Sequence, residues 1–163
     1  MNRHDRIEDK NPRNNEGLTP LHEAVSSGHY ELSKLIVENV FDKNPASNDG
    51  KTPMHLAARF GYLQLFTLLF ENEPLLLKNP GDNEEWTPFH DAAENGHLEI
   101  CKLINKNIFD KNSLTSNGRT PLHVAAQYGH LEICKLILED LEGDKNPGDC
   151  AGTTPLHNAA EEG

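Results

Sequence analysis

Thr120-Pro121-Leu122-His123 is the stretch that decides how this chain folds, because it is one of five copies. The pattern Thr-Pro-X-His also stands at Thr19-Pro20-Leu21-His22, Thr52-Pro53-Met54-His55, Thr87-Pro88-Phe89-His90 and Thr154-Pro155-Leu156-His157. Successive threonines lie 33, 35, 33 and 34 residues apart. A repeat of that length signifies supersecondary units stacked side by side, not one core closed on itself.

Each unit can be read outward from its motif. Threonine caps helix N-termini, and proline suits the first helical turn, where no amide donor is needed. Nine residues after each Thr sits Gly28, Gly61, Gly96, Gly129 or Gly163, which predicts a first helix of about two turns stopped by glycine. An amphipathic segment follows in four copies; His97–Ile104 and His130–Ile137 are nearly identical and repeat their apolar residues at helical spacing. Eight residues before each Thr stands Asn11, Asn44, Asn79, Asn112 or Asn146, and the intervening Pro, Asn, Asp and Gly predict a turn or hairpin. Gly17, Gly50, Gly118 and Gly152 precede their Thr by two residues, where positive φ is expected. Glu85 takes that place in the third copy, so its turn is expected to be strained or differently shaped.

These residues resemble the ankyrin repeat family, whose signature is Thr-Pro-Leu-His-X-Ala at this period. The resemblance runs from about Asp9 to Gly163, as repeats at roughly 11–43, 44–78, 79–111 and 112–145 and a part-repeat at 146–163. Residues 1–8, mostly charged, read as a frayed leader. The resemblance implies an all-α-dominated solenoid with a β-hairpin and two antiparallel helices per repeat. It implies that each motif histidine bonds its own threonine and a neighbouring loop carbonyl. It also implies a concave face of hairpins and first helices that binds another protein. Asn44, Asn112 and Asn146 match a position that an asparaginyl hydroxylase modifies in some members; the residue-level reading favours a turn cap.

Composition narrows the partner. The net charge of −11 repels phosphate backbones and so argues against nucleic acid; it reads first as solubility and, beyond that, favours a basic protein surface. Hydrophobic content is only 36 %, workable if small residues such as Ala57, Ala58, Ala92 and Ala93 let helices approach closely. No apolar run is long enough to span a membrane and none resembles a signal peptide, which makes the cytoplasm or nucleus the expected compartment. Cys101 and Cys134 read as packing residues and Cys150 as exposed.

Nine histidines invite a metal or catalytic reading. Periodicity accounts for most: His29, His97 and His130 recur after the helix-ending glycine, and Tyr62 replaces the fourth, which a ligand set would not tolerate. No zinc spacing, phosphate loop or nucleophile elbow is present, so neither catalysis nor a cofactor is expected.

Function is therefore sought in positions that vary between copies. The residues before each Thr are Leu18, Lys51, Trp86, Arg119 and Thr153, and those ending the first helices include Arg59-Phe60 and Gln127-Tyr128. Arg59, Phe60, Trp86, Arg119 and Tyr128 are residues the scaffold does not require, Trp, Tyr and Arg are the usual hot-spot types, and the five form the expected contact patch. The competing reading has Phe60 and Trp86 filling a gap beside the third turn. Phe66 and Phe70 suggest either a convex contact or a longer loop, Pro74–Leu77, folded over Phe70. The chain reads as a monomeric binding scaffold. Its alternatives are a recruiting or regulatory arm of a longer enzyme, channel or signalling protein, and a hydroxylase substrate. Because Gly163 falls where a second helix should begin, a longer natural chain is expected.

Overall fold

The computed structural model of the chain describes residues 11–74, 78–108, 110–140 and 144–162. The expectations for residues 1–8, for Leu75–Leu77 and for Gly163 lie outside them. Nine helices form among the described residues: α1 (Pro20–Ser26), α2 (Tyr30–Asn39), α3 (Pro53–Arg59), α4 (Leu63–Asn72), α5 (Pro88–Glu94), α6 (Leu98–Asn107), α7 (Pro121–Gln127), α8 (Leu131–Asp140) and α9 (Pro155–Glu162). Odd-numbered helices pack on one another in chain order, and α2, α4, α6 and α8 form a second row against them.

Each short helix starts where its sequence says it should. Thr19, Thr52, Thr87 and Thr120 are extended, and the proline after each opens the helix. The histidine at the third helical position completes a capping box by accepting the threonine's backbone N–H. The upstream asparagine satisfies one more orphan amide: Met54 N–H donates to Asn44 Oδ1 at 3.0 Å, Phe89 to Asn79 at 3.1 Å and Leu156 to Asn146 at 3.2 Å. Exit is set by glycine; Gly28 sits at φ +72°, which breaks the helix at low steric cost. The link to the next helix is too short for anything but antiparallel neighbours.

One continuous core runs through the stack from Leu21 to Ile137. Ala57, Ala58, Ala92, Ala93 and Ala125 are fully buried in the first-helix row, as close helix approach requires. Phe66 and Phe70 stack at 5.6 Å between ring centres and are buried, with the Lys78 ammonium 4.3 Å above the Phe70 ring. The two rings are therefore core, and the convex-contact reading falls. Cys101 is buried, Cys134 half-buried and Cys150 exposed, as expected.

The turns are simpler than the implied hairpins: among the described residues no strand forms. Each is closed by two bonds, as in Asn14 N–H to Leu18 O at 2.9 Å and Gly17 N–H to Asn14 O at 3.0 Å. Successive turns are stitched tip to tip, by Asn48 N–H to Glu16 O, Asn83 to Asp49, Ser116 to Glu84 and Cys150 to Asn117, at 2.9–3.1 Å. The third turn keeps this geometry (Glu85 N–H to Asp82 O, 2.9 Å) by forcing Glu85 to φ +60°. It is thus strained and not reshaped. A left-handed L-residue costs about 1 kcal/mol, part of which glycine returns as unfolded-chain entropy. Glu85→Gly is expected to stabilise the fold by roughly 0.5 kcal/mol, raising the melting temperature by about 1–2 °C in a circular-dichroism melt. A lowered melting point would refute the strain.

Candidate functional site

The five Thr-Pro-X-His motifs build the frame on which any site must sit. Thr52 N–H donates to His55 Nδ1 at 3.1 Å, which leaves Nε2 as the protonated nitrogen. Nε2–H then donates to the Trp86 carbonyl of the next repeat at 2.9 Å. His22 reaches Lys51 O, His90 reaches Arg119 O and His123 reaches Thr153 O, each at 3.1 Å. His157 closes on Thr154 at 2.8 Å and stays exposed. Four of the five motif histidines thus bridge to the next turn, and His157 is shown bonding its own threonine; among the described residues no group of ligating side chains is placed to hold a metal.

A second set of ties went unread in the sequence. His97 Nε2–H donates to Arg59 O at 3.0 Å and His130 Nε2–H to Glu94 O at 2.9 Å. Their rings press against Gly61 and Gly96, where an added Cβ would lie 2.5 and 2.7 Å from the imidazole. Tyr62 fills the same place beneath Gly28. The recurrence of histidine after the glycine was the available signal.

Between the second and third repeats the turns and first helices enclose a concavity of about 490 Å³. Asp49, Asp82, Glu84 and Glu94 supply acid, Lys51 and Arg59 base, and Trp86 and Asp91 complete the lining with Asn83. Lys51 is held on Asp82 at 3.0 Å. Burial would raise the Asp82 carboxyl, but bonds from Lys51 and from the Glu84 and Trp86 amides outweigh it and hold it below the ordinary range. Asp91 is buried, with Oδ1 accepting from Trp86 Nε1–H at 3.2 Å. Burial pushes its carboxyl up to about 7 against the pull of Lys51, Arg59 and the indole N–H.

Profiles of known families match this repeat frame: the one described as ankyrin repeats (3 copies) covers residues 3–75, 49–112 and 89–163. The chain belongs to the ankyrin repeat family. No curated protein matches it.

Of the five residues expected to form a contact patch in this ankyrin repeat chain, the concavity brings together Arg59 and Trp86. Tyr128 joins its rim through Glu94, donating Oη–H to Oε1 at 3.1 Å. Phe60, about half exposed, leans on Tyr62 with ring centres 5.8 Å apart. The Arg119 guanidinium donates to Gln127 Oε1. Trp86 is half-buried, tilted against the His90 ring at 5.2 Å, and packs on the core as well as lining the concavity. Asn44 and Asn146 act as caps in the ankyrin turn, and Asn112 N–H is tied to Asp110 at 3.0 Å. Asp91 was not singled out in the sequence, because its place varies between copies as Glu23, Leu56, Val124 and Asn158 and carries an acid in repeat one as well.

The buried motif histidines make this ankyrin stack acid-sensitive. Burial lowers His55 and His90 to about 4, and it lowers His22 and His123 below their ordinary value. The unfolded chain binds protons below about 6.5. The folded chain resists until about 4 at His55 and His90, so their stabilisation is full above 6.5 and lost on acidification. Asp91 has the opposite sign, because the folded form takes up a proton from about 7 downward and the unfolded form only near 4. His55 and His90 each lose on the order of 2 kcal/mol by pH 5. Urea unfolding is expected to give a lower midpoint at pH 5 than at pH 7.5, and Asp91→Asn a steeper fall than the native chain. Equal midpoints in the native chain, with no steepening in the variant, would refute this assignment.

Proposed function

We propose that this chain binds a partner protein on the face formed by its turns and first helices, around the concavity between the second and third repeats. Ankyrin repeats mediate protein–protein interaction. The observation that carries the choice of face is how the scaffold uses its variable positions. Trp86 and Arg119 give the frame their carbonyls, as do Arg59 and Glu94 to the second histidine set. These ties use backbone carbonyls and so do not dictate the side chains that carry them, and Arg59 and Tyr128 are exposed beside the concavity.

The acidic lining and the net charge of −11 favour a basic partner surface, with Arg59 and Arg119 reading individual acids on it. Free cysteines at three positions fit a reducing compartment, cytoplasm or nucleus, and we take the scaffold to act as a monomer. The same face would serve a recruiting or regulatory arm of a larger enzyme, channel or signalling protein. The hydroxylase-substrate reading ranks below these, because the Asn44 and Asn146 side chains are engaged as helix caps.

The test is capture by the immobilised chain, compared with Arg59→Glu/Tyr128→Ala and with Leu35→Ala/Leu131→Ala, which alters exposed residues of the second-helix row. Proteins retained by the native chain are expected to fall about tenfold with the first pair and to persist with the second, at unchanged melting temperature. The reverse pattern would move the interface to the second-helix side.

A further inference from the structure

We propose that the concavity between Trp86 and Asp91 is a socket for one cationic side chain, arginine or lysine, presented by the partner protein. This rests on the reading that the partner docks on the turn and first-helix face.

Asp91 occupies the fifth place of the third motif, counted from Thr87, where the sibling repeats carry Glu23, Leu56, Val124 and Asn158. Leu56 and Val124, in the repeats on either side, show that the frame accepts an apolar residue there. A carboxylate is the costly choice at a site only 2 % exposed. Oδ1 accepts from Trp86 Nε1–H, while Oδ2 is buried and accepts nothing from the described residues. An ionised carboxylate has about four acceptor sites, so most of its bonding capacity is unspent. Asp91 is also the most buried of the residues lining the concavity.

The surroundings select the sign of the missing group. Asp49, Asp82, Glu84 and Glu94 outnumber Lys51 and Arg59 around the opening. Lys51 is engaged with Asp82 at 3.0 Å, and Arg59 lies exposed at the end of α3. An entering cation would meet a carboxylate already oriented by an indole N–H, within an acidic rim, with an aromatic ring beside it. Those are the components that bind guanidinium and ammonium groups. The volume of about 490 Å³ accommodates a long side chain. The raised protonation range of Asp91 has the same origin, burial that Lys51, Arg59 and the indole N–H only partly offset.

Trp86 is the chain's single tryptophan, so its indole N–H gives one resonance that reports directly on Asp91. The experiment titrates N-acetyl-arginine amide, N-acetyl-lysine amide and neutral N-acetyl-glutamine amide into the ¹⁵N-labelled chain at matched ionic strength. A saturable shift of that resonance with at least one cation is expected, none with the neutral amide, and binding about tenfold weaker in Asp91→Asn. The tighter cation identifies the partner's side chain. Asp91→Asn keeps an acceptor for the indole and removes only the charge; Asp91→Leu, copying Leu56, serves if the first variant misfolds. No shift with either cation, equal binding of the neutral amide, or undiminished binding in both variants would overturn the socket. Loss of the socket with capture still sensitive to Arg59 and Tyr128 would leave the docking face standing. Cation binding without that sensitivity would remove the face and keep the socket.

Discussion

The bridge from each motif histidine to the next repeat is the constraint on which the rest depends. A single neutral imidazole accepts the N–H that would otherwise be orphaned at its own helix start, and it donates to a carbonyl of the following turn. Helix initiation and repeat register are thereby set by one side chain. Both ring nitrogens are used, so the tautomer is fixed, and adding a proton to Nδ1 would oppose the threonine N–H. Burial, which lowers the histidines, removes the charged alternative as well.

Because these ties end on backbone carbonyls, the frame is indifferent to the side chains that carry them. Lys51, Trp86, Arg119 and Thr153 range from cationic to aromatic to small and polar, yet each offers C=O to the preceding histidine. The same is true of Arg59 and Glu94. A stack built this way has a row of positions whose side chains are free to specialise, all on one face. That separation of scaffold from surface is why an interaction role suits this frame better than chemistry, which would need several side chains fixed against one another.

Periodicity made the frame legible. Threonine, proline, histidine and glycine act through local geometry, and five copies in register exposed their spacing directly. The strained Glu85 was equally readable, since one missing glycine stands out against four present. What escaped was set by neighbours distant in sequence. His97 and His130 recur visibly, but their partners lie 38 and 36 residues back, on the preceding first helix. Phe60 stood out as a residue the scaffold does not require, but its direction, toward Tyr62, depends on packing between adjacent helices. The antiparallel bonds of each turn exist without a ladder long enough to be a strand, a difference of extent that turn composition does not encode.

Asp91 is the sharpest case, since its meaning lies wholly in its surroundings. On a helix diagram it is one more acid in a chain of net charge −11; in the fold it is buried and half-bonded. A leucine or valine would satisfy the frame there, as Leu56 and Val124 do in adjoining repeats. Local choices that disagree with the global fold are expected where function, not stability, sets the residue. The only hydrogen bond shown for the Asp91 carboxylate comes from Trp86, itself at a position the frame leaves free to vary. Two residues at variable places of the repeat, bonded to each other, are more simply explained by one shared demand than by two accidents of packing. Among the described residues no second donor completes the carboxylate, and a demand from outside the frame is what the proposed socket supplies.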